Sequence, residues 1–181
     1  SRGLGDVYKR QVHSKPGKHT PDVEYTFKDV GLKQNIPVLG LYPNYNNQIT
    51  LIYTDLQGNE RARSNLKLQT KTLESRRLPK EIRVVKAQYD RMEPGMNLVN
   101  SPGQDETDTS IPYMIDADGE IRWILDWEKS DEHRYIGIGC GLIRMQNGHY
   151  MTGDGNHHRM VEVDMMGNTI HNWDMLERGY T

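Results

Sequence analysis

Two stretches of the chain repeat one pattern: Ile115-Asp116-Ala117-Asp118-Gly119-Glu120-Ile121-Arg122-Trp123 and Val163-Asp164-Met165-Met166-Gly167-Asn168-Thr169-Ile170. Each runs a β-forming residue into Asp, two variable positions, Gly, and a return to apolar strand. Asp116 and Asp164 lie about 48 positions apart, close to the 40 to 50 or so residues of a four-stranded propeller blade. Between them Leu142 to Met145, the turn Gln146-Asn147-Gly148 and His149 to Thr152 read as a hairpin in which Asn-Gly supplies the tight turn. Met160 to Asp164 and Asn168 to Trp173 complete four strands per period. A propeller closes with roughly four to eight blades, and about one and a half fit between Met96 and Thr181.

From Pro21 to about Thr72 the pattern is again strand and turn. Glu24-Tyr25-Thr26-Phe27 alternates polar and aromatic residues, and Ile49 to Thr54 joins Arg61 to Thr70 through Asp55-Leu56-Gln57-Gly58-Asn59. Short strands with such turns predict a small immunoglobulin-like β-sandwich. Between Lys71 and Pro94 charges of both signs crowd together, which reads as a solvated connector with Ile82-Arg83-Val84-Val85 as one strand inside it. The expected division is therefore 12–94 for the sandwich with its connector and 95–181 for the first one to two propeller blades. Ser1 to Gln11 (SRGLGDVYKRQ) resembles a translated sequencing-adapter scar, so residues 1–11 are set aside as foreign or disordered. With no initiating Met before it, the chain reads as a fragment.

Lys and Arg number 23 against 25 Asp and Glu, a net charge of -2, without the basic excess by which nucleic-acid binders hold phosphates. No apolar run reaches the roughly 20 residues needed to span a bilayer as a helix. Cys140 is the one cysteine and has no internal disulfide partner. In Gly137-Ile138-Gly139-Cys140-Gly141 it reads as a small packed side chain, because a reactive thiol wants a nearby His and an electropositive setting.

Asp116 and Asp118 before Gly119 space carboxylates as a calcium loop does, but the spacing after the Gly departs from an EF-hand, and an Asp-Gly turn accounts for it. His157 and His158 follow Gly153-Asp154-Gly155-Asn156, a loop able to present an imidazole to an anionic group at a propeller axis. Neighbours in a strand point to opposite faces, so the pair does not share a metal, and a solvated loop is the plainer reading. His133, His149 and His171 show no partner spacing. Gly148-His149 with Trp173-Asp174 mimics the ends of a WD repeat, which would make a protein-binding scaffold, but that spacing occurs once. There is no Gly-x-Ser-x-Gly elbow, Walker A loop or dinucleotide glycine loop. No catalytic, cofactor-binding or metal-ligating residue is assigned.

Several stretches in order resemble a known family: Ile36-Pro37-Val38-Leu39-Gly40-Leu41-Tyr42, a hairpin like Gln48 to Glu60, Met96 to Asn100, Ile115 to Trp123, Glu162-Val163-Asp164-Met165-Met166-Gly167 and Glu177-Arg178-Gly179-Tyr180. Together, over most of Pro21 to Thr181, they resemble the bacterial arylsulfate sulfotransferases that work without a nucleotide sulfate donor. The resemblance implies an all-β chain, an immunoglobulin-like β-sandwich followed by the first blades of a truncated six-bladed β-propeller. It further implies a homodimer when full-length, a periplasmic or secreted location, and no cofactor. The implied partners are an aryl sulfate donor and a phenol acceptor, joined by ping-pong transfer through a sulfohistidine. The family's order places its catalytic histidines after Thr181, so none maps onto this chain. A non-enzymatic propeller scaffold or surface-binding protein is the alternative, and a quinone-dependent propeller dehydrogenase a third.

Overall fold

The computed structural model describes residues 7–27, 35–55, 57–75, 77–100, 111–128, 130–136 and 141–179. Cys140, its neighbours from Gly137 to Gly139, and Tyr180 lie outside these residues. The described chain is all-β, with a single turn of 3-10 helix at Tyr89–Arg91. Among the described residues no helix is long and apolar enough to cross a membrane. The chain packs as two compact units. The first takes the described residues of Ser1–Glu74, Glu81–Asn97 and Ile115–Trp123, the second those of Ser75–Lys80, Leu98–Met114 and Ile124–Thr181.

In the first unit β1 (Val7–Val12), β2 (Val23–Phe27), β3 (Asn46–Thr54) and β4 (Glu60–Gln69) form an antiparallel sheet in the order β2-β1-β3-β4. Residues Val7 to Gln11, set aside on sequence grounds, belong to this sheet: β1 pairs with β2 on one side and β3 on the other. Two ladders fix the segment whatever its composition, and Val12 at its end is fully buried. The hairpin between β3 and β4 falls where Asp55 to Asn59 places it. β4 is exposed along its whole length and lies at the sheet edge, where Arg61, Arg63 and Lys67 make a poor template for further pairing.

One turn recurs through the chain. The N–H of Asp55 donates to Asn59 O at 3.0 Å and Gly58 N–H returns to Asp55 O at 2.9 Å. Asp116 with Glu120 and Gly119, Asp164 with Asn168 and Gly167, and Met145 with His149 and Gly148 repeat that pair of bonds. The fourth residue has φ between +78° and +87° in all four copies, a conformation that glycine adopts without a Cβ penalty. In the three Asp copies one carboxylate oxygen also accepts the N–H groups two and four residues on.

Strands β5 (Asn97–Val99), β6 (Tyr113–Ile115) and β7 (Ile121–Ile124) form a three-stranded sheet in that order. In the second unit β8 (Leu142–Arg144), β9 (Tyr150–Asp154), β10 (Arg159–Val163) and β11 (Thr169–Asp174) form the four-stranded antiparallel sheet expected from the repeat, in the sequential order β11-β10-β9-β8. Tyr150, Val161 and Val163 on this sheet are buried, as are Ile111, Met114, Leu125, Trp127 and Ile136 elsewhere in the unit. The strand expected at Ile82 to Val85 is absent: the segment has no regular secondary structure and joins no ladder. Its alternation has another cause, since Ile82 and Val84 lie against the Cα of Gly119, where a Cβ would meet the Val84 side chain at 2.9 Å.

Arg122 on β7 is the most committed side chain of the first unit. Its Nη1 donates to Asp116 Oδ2 at 2.8 Å, and Nε and Nη2 both donate to the Gly40 carbonyl at 3.0 and 2.7 Å. Its Cζ lies 3.6 Å from the Tyr42 ring centroid, and neither charged side chain of the pair reaches solvent. Gly40 has φ +83° and Val23 already 3.2 Å from where a Cβ would stand, so a larger residue there is strained in its backbone and crowds Val23. Replacing Arg122 with Met leaves Asp116 buried without its counter-charge and should lower stability by about 3–5 kcal/mol. Arg122→Lys should recover only part, because an ammonium lacks the planar fork that serves Gly40 and Asp116 together. Urea unfolding of both variants checks this; a parental midpoint for Arg122→Met would remove the pair from the stability account.

Candidate functional site

Alternation divides the β8–β11 sheet into two unlike faces. Tyr150, Thr152 and Asp154 lie opposite Val163, Val161 and Arg159, and this face is the buried one. On the other, Met151 pairs with Glu162 and Glu162 with His171, while Gly153 pairs with Met160 and Met160 with Trp173. Ile143, opposite Met151, is 65% exposed.

Glu162 organises that second face. His149 Nδ1 stands 2.6 Å from Oε1, His171 Nδ1 stands 2.8 Å from Oε2, and Asn147 Nδ2 donates to Oε1 at 3.0 Å. A carboxylate only accepts, so both imidazoles carry their proton on Nδ1 and turn Nε2 away from Glu162. The three hydrogen bonds, that from His149 first, hold the Glu162 carboxyl down at about 2. Trp173 stacks on His171 with ring centroids 5.1 Å apart. His149 and His171, without partners by sequence spacing, thus share one. The available signal was register: Glu162 and His171 flank the Asp164 to Asn168 turn and meet across it once the bulge between Glu162 and Val163 is counted.

Asp154 is the second organising carboxylate and is wholly buried. Its Oδ2 accepts hydrogen bonds from Nδ1 of His157 and Nε of Arg159, both at 2.9 Å. Arg159 Nη2 in turn donates to the Glu132 carbonyl. His157 is half exposed, with the Tyr135 ring 5.1 Å from its own. His158 is committed through its backbone: it has φ +49°, and its carbonyl accepts Met175 N–H at 2.8 Å. The loop that the sequence marks therefore presents one oriented imidazole, His157. His133 is buried between Ser130 and Thr169, with Nδ1 2.9 Å from one hydroxyl and Nε2 2.6 Å from the other. Burial pushes its pKa down and favours the neutral ring.

Asp116 and Asp118 stand in an Asp-Gly turn. Asp116 serves the turn and Arg122, while Asp118 accepts His19 N–H at 2.9 Å and both the N–H and the hydroxyl of Thr20 at 2.8 Å. Each carboxylate is spent on protein donors within the first unit. The WD-like residues are also placed: His149 and Trp173 lie on the Glu162 face, joined through Glu162 and His171.

The depressed Glu162 carboxyl fixes the direction of an acid effect. Its bonds contribute stability above the ordinary value of 4.5, and that contribution is lost as pH falls toward about 2. The thermal midpoint of Glu162→Gln should therefore lie below that of the parent at neutral pH and converge on it between pH 4.5 and 2. A gap that stays constant across that window would mean that the Glu162 charge is not its source.

Residues 81–181 match the family model described as Arylsulfotransferase (ASST). Residues 7–71 match the one described as Arylsulfotransferase Ig-like domain. No curated protein matches the chain.

Proposed function

The chain belongs to the arylsulfotransferase family, and from that premise we propose that it forms part of an enzyme moving a sulfuryl group from a phenolic sulfate ester to a phenol acceptor. The observation that carries the proposal is the family match over residues 81–181, which takes in the whole β8–β11 sheet. In this reading the sheet is one blade of a six-bladed propeller, and its four sequential antiparallel strands support that assignment. The immunoglobulin-like domain precedes it. Export to the periplasm and a homodimer belong to the same reading.

The chemistry is a double displacement on sulfur. A neutral imidazole nitrogen attacks, the N–S bond forms, the S–O(aryl) bond breaks, and the departing phenoxide takes a proton. The acceptor phenol then attacks the sulfohistidine, loses its proton to a base, and the N–S bond breaks. Cationic and hydrogen-bonding donors hold the sulfuryl oxygens through both steps. No nucleotide sulfate or other cofactor is needed. His149, His157 and His171 have Nδ1 on Glu162 or Asp154, and His133 is buried; the nucleophile is assigned to none of the described histidines. By the resemblance, its expected position follows the segment Glu177 to Tyr180. The described residues contribute the scaffold, with Glu162 and Asp154 each fixing a set of side chains on a face of the sheet.

The test uses the protein encoded by the complete gene that carries this sequence, assayed with 4-nitrophenyl sulfate with and without phenol. Acceptor-dependent nitrophenol release, with sulfuryl trapped on a histidine in the absence of acceptor, is the expected result. No release from a range of aryl sulfates would overturn the reading in favour of a propeller scaffold without chemistry.

A further inference from the structure

Asn147-Gly148 is the single Asn-Gly pair in the sequence, and it stands beside the Glu162 cluster. An asparagine followed by glycine is the pair most prone to deamidation, because no side chain on the following residue hinders attack of its backbone nitrogen. The Gly148 nitrogen attacks Asn147 Cγ, a C–N bond forms, the bond to the side-chain nitrogen breaks, and ammonia leaves. Water then opens the succinimide to aspartate or isoaspartate. The reaction needs only solvent.

The folded turn opposes each early step. Gly148 N–H donates to the Met145 carbonyl at 3.0 Å, so the attacking nitrogen is engaged within the turn. Asn147 Oδ1 accepts His149 N–H at 3.0 Å, and Nδ2 donates to Glu162 Oε1 at 3.0 Å. Both ends of the amide are held, and the side chain must leave Glu162 before Cγ can be approached.

The product is also poorly tolerated where it forms. Aspartate at 147 would put an oxygen in place of the donor that faces Glu162 Oε1, so two carboxylates would meet at hydrogen-bond distance. His149 Nδ1 lies 2.6 Å from Glu162 Oε1 and 3.3 Å from Asn147 Nδ2, but it carries one hydrogen and serves one carboxylate at a time. His171 donates to the other Glu162 oxygen. Asp164, whose carboxylate is held by Asn168, adds a further negative charge near His149.

We propose that Asn147 is a deamidation site guarded by Glu162, and that its conversion to aspartate or isoaspartate turns the anchor between the β8–β9 turn and β10 into a like-charge contact. The modification is irreversible and would mark molecules in which the turn has opened.

Peptide mapping by mass spectrometry after incubation at mildly alkaline pH tests the guard. Conversion at Asn147 should be about tenfold slower in the folded protein than in a free peptide of the same local sequence, the factor expected for about 1.4 kcal/mol of local opening. Glu162→Gln should raise the rate at Asn147 at a temperature where circular dichroism shows the variant to be folded, so that local release and not global unfolding is read. Asn147→Asp should have a lower thermal midpoint than the parent, and a smaller deficit when paired with Glu162→Gln than alone. Conversion in the folded protein at the peptide rate would overturn the guarded site. A parental midpoint for Asn147→Asp would overturn the like-charge consequence.

Discussion

The Arg122 guanidinium holds the first unit in one arrangement. A guanidinium and a carboxylate sealed from water gain little net free energy against an apolar pair of the same volume, yet either one alone is expensive. Such a pair therefore acts mainly on specificity: backbone arrangements that fail to deliver both Asp116 and the Gly40 carbonyl to Arg122 are penalised. The consequences run outward from it. Asp116 is fixed both as counter-ion and as the cap of its own turn, and this sets the positions of Asp118 and Glu120. Asp118 then fixes His19 and Thr20, and Glu120 accepts Lys15 at 2.8 Å and Lys18 at 3.1 Å. A residue about two-thirds of the way along the chain thereby positions the connection between β1 and β2.

The features legible in the sequence were those governed by local chemistry. Gly after two variable positions marked the turns because the fourth residue needs a positive φ, and Asp at the first position marked them because its carboxylate caps two N–H groups. From these, the β3–β4 hairpin and the β8–β11 sheet could be read with strand ends shifted by only a few residues. What could not be read depended on partners far away in sequence or on register. Ile82 to Val85 alternates like a strand but has no ladder, and alternation cannot distinguish pairing with a strand from packing on a turn. Val7 to Gln11 was lost for the opposite reason, because its composition looked foreign while its two neighbouring strands were out of view.

Histidine was the residue type that sequence spacing handled worst. Glu162 meets His171 only because the bulge between Glu162 and Val163 advances one strand, and a regular hairpin would have placed a different residue opposite. His149 reaches the same carboxylate from the turn at the start of β9. The Asp154–His157 pair is nearer to hand, three residues apart across a turn, and the loop that carries it is legible, but spacing within a loop does not show which carboxylate turns toward the imidazole.

Whether the Glu162 face can itself perform sulfuryl transfer turns on what accompanies its imidazoles. A carboxylate that accepts Nδ1–H makes Nε2 more basic and orients it, which is half of what a histidine nucleophile needs. The other half is donors for the sulfuryl oxygens, since charge there is present throughout transfer. Among the described residues, those sharing this face in register are Ile143, Met151, Gly153, Met160 and Trp173, and none is a cation. Arg159 lies opposite Asp154 on the buried face and is neutralised there. Glu162 would also repel an approaching sulfate ester. The cluster therefore fits the role of a brace joining the β8–β9 turn to β10 and β11, and the proposed transfer requires a histidine set among cationic donors outside this face.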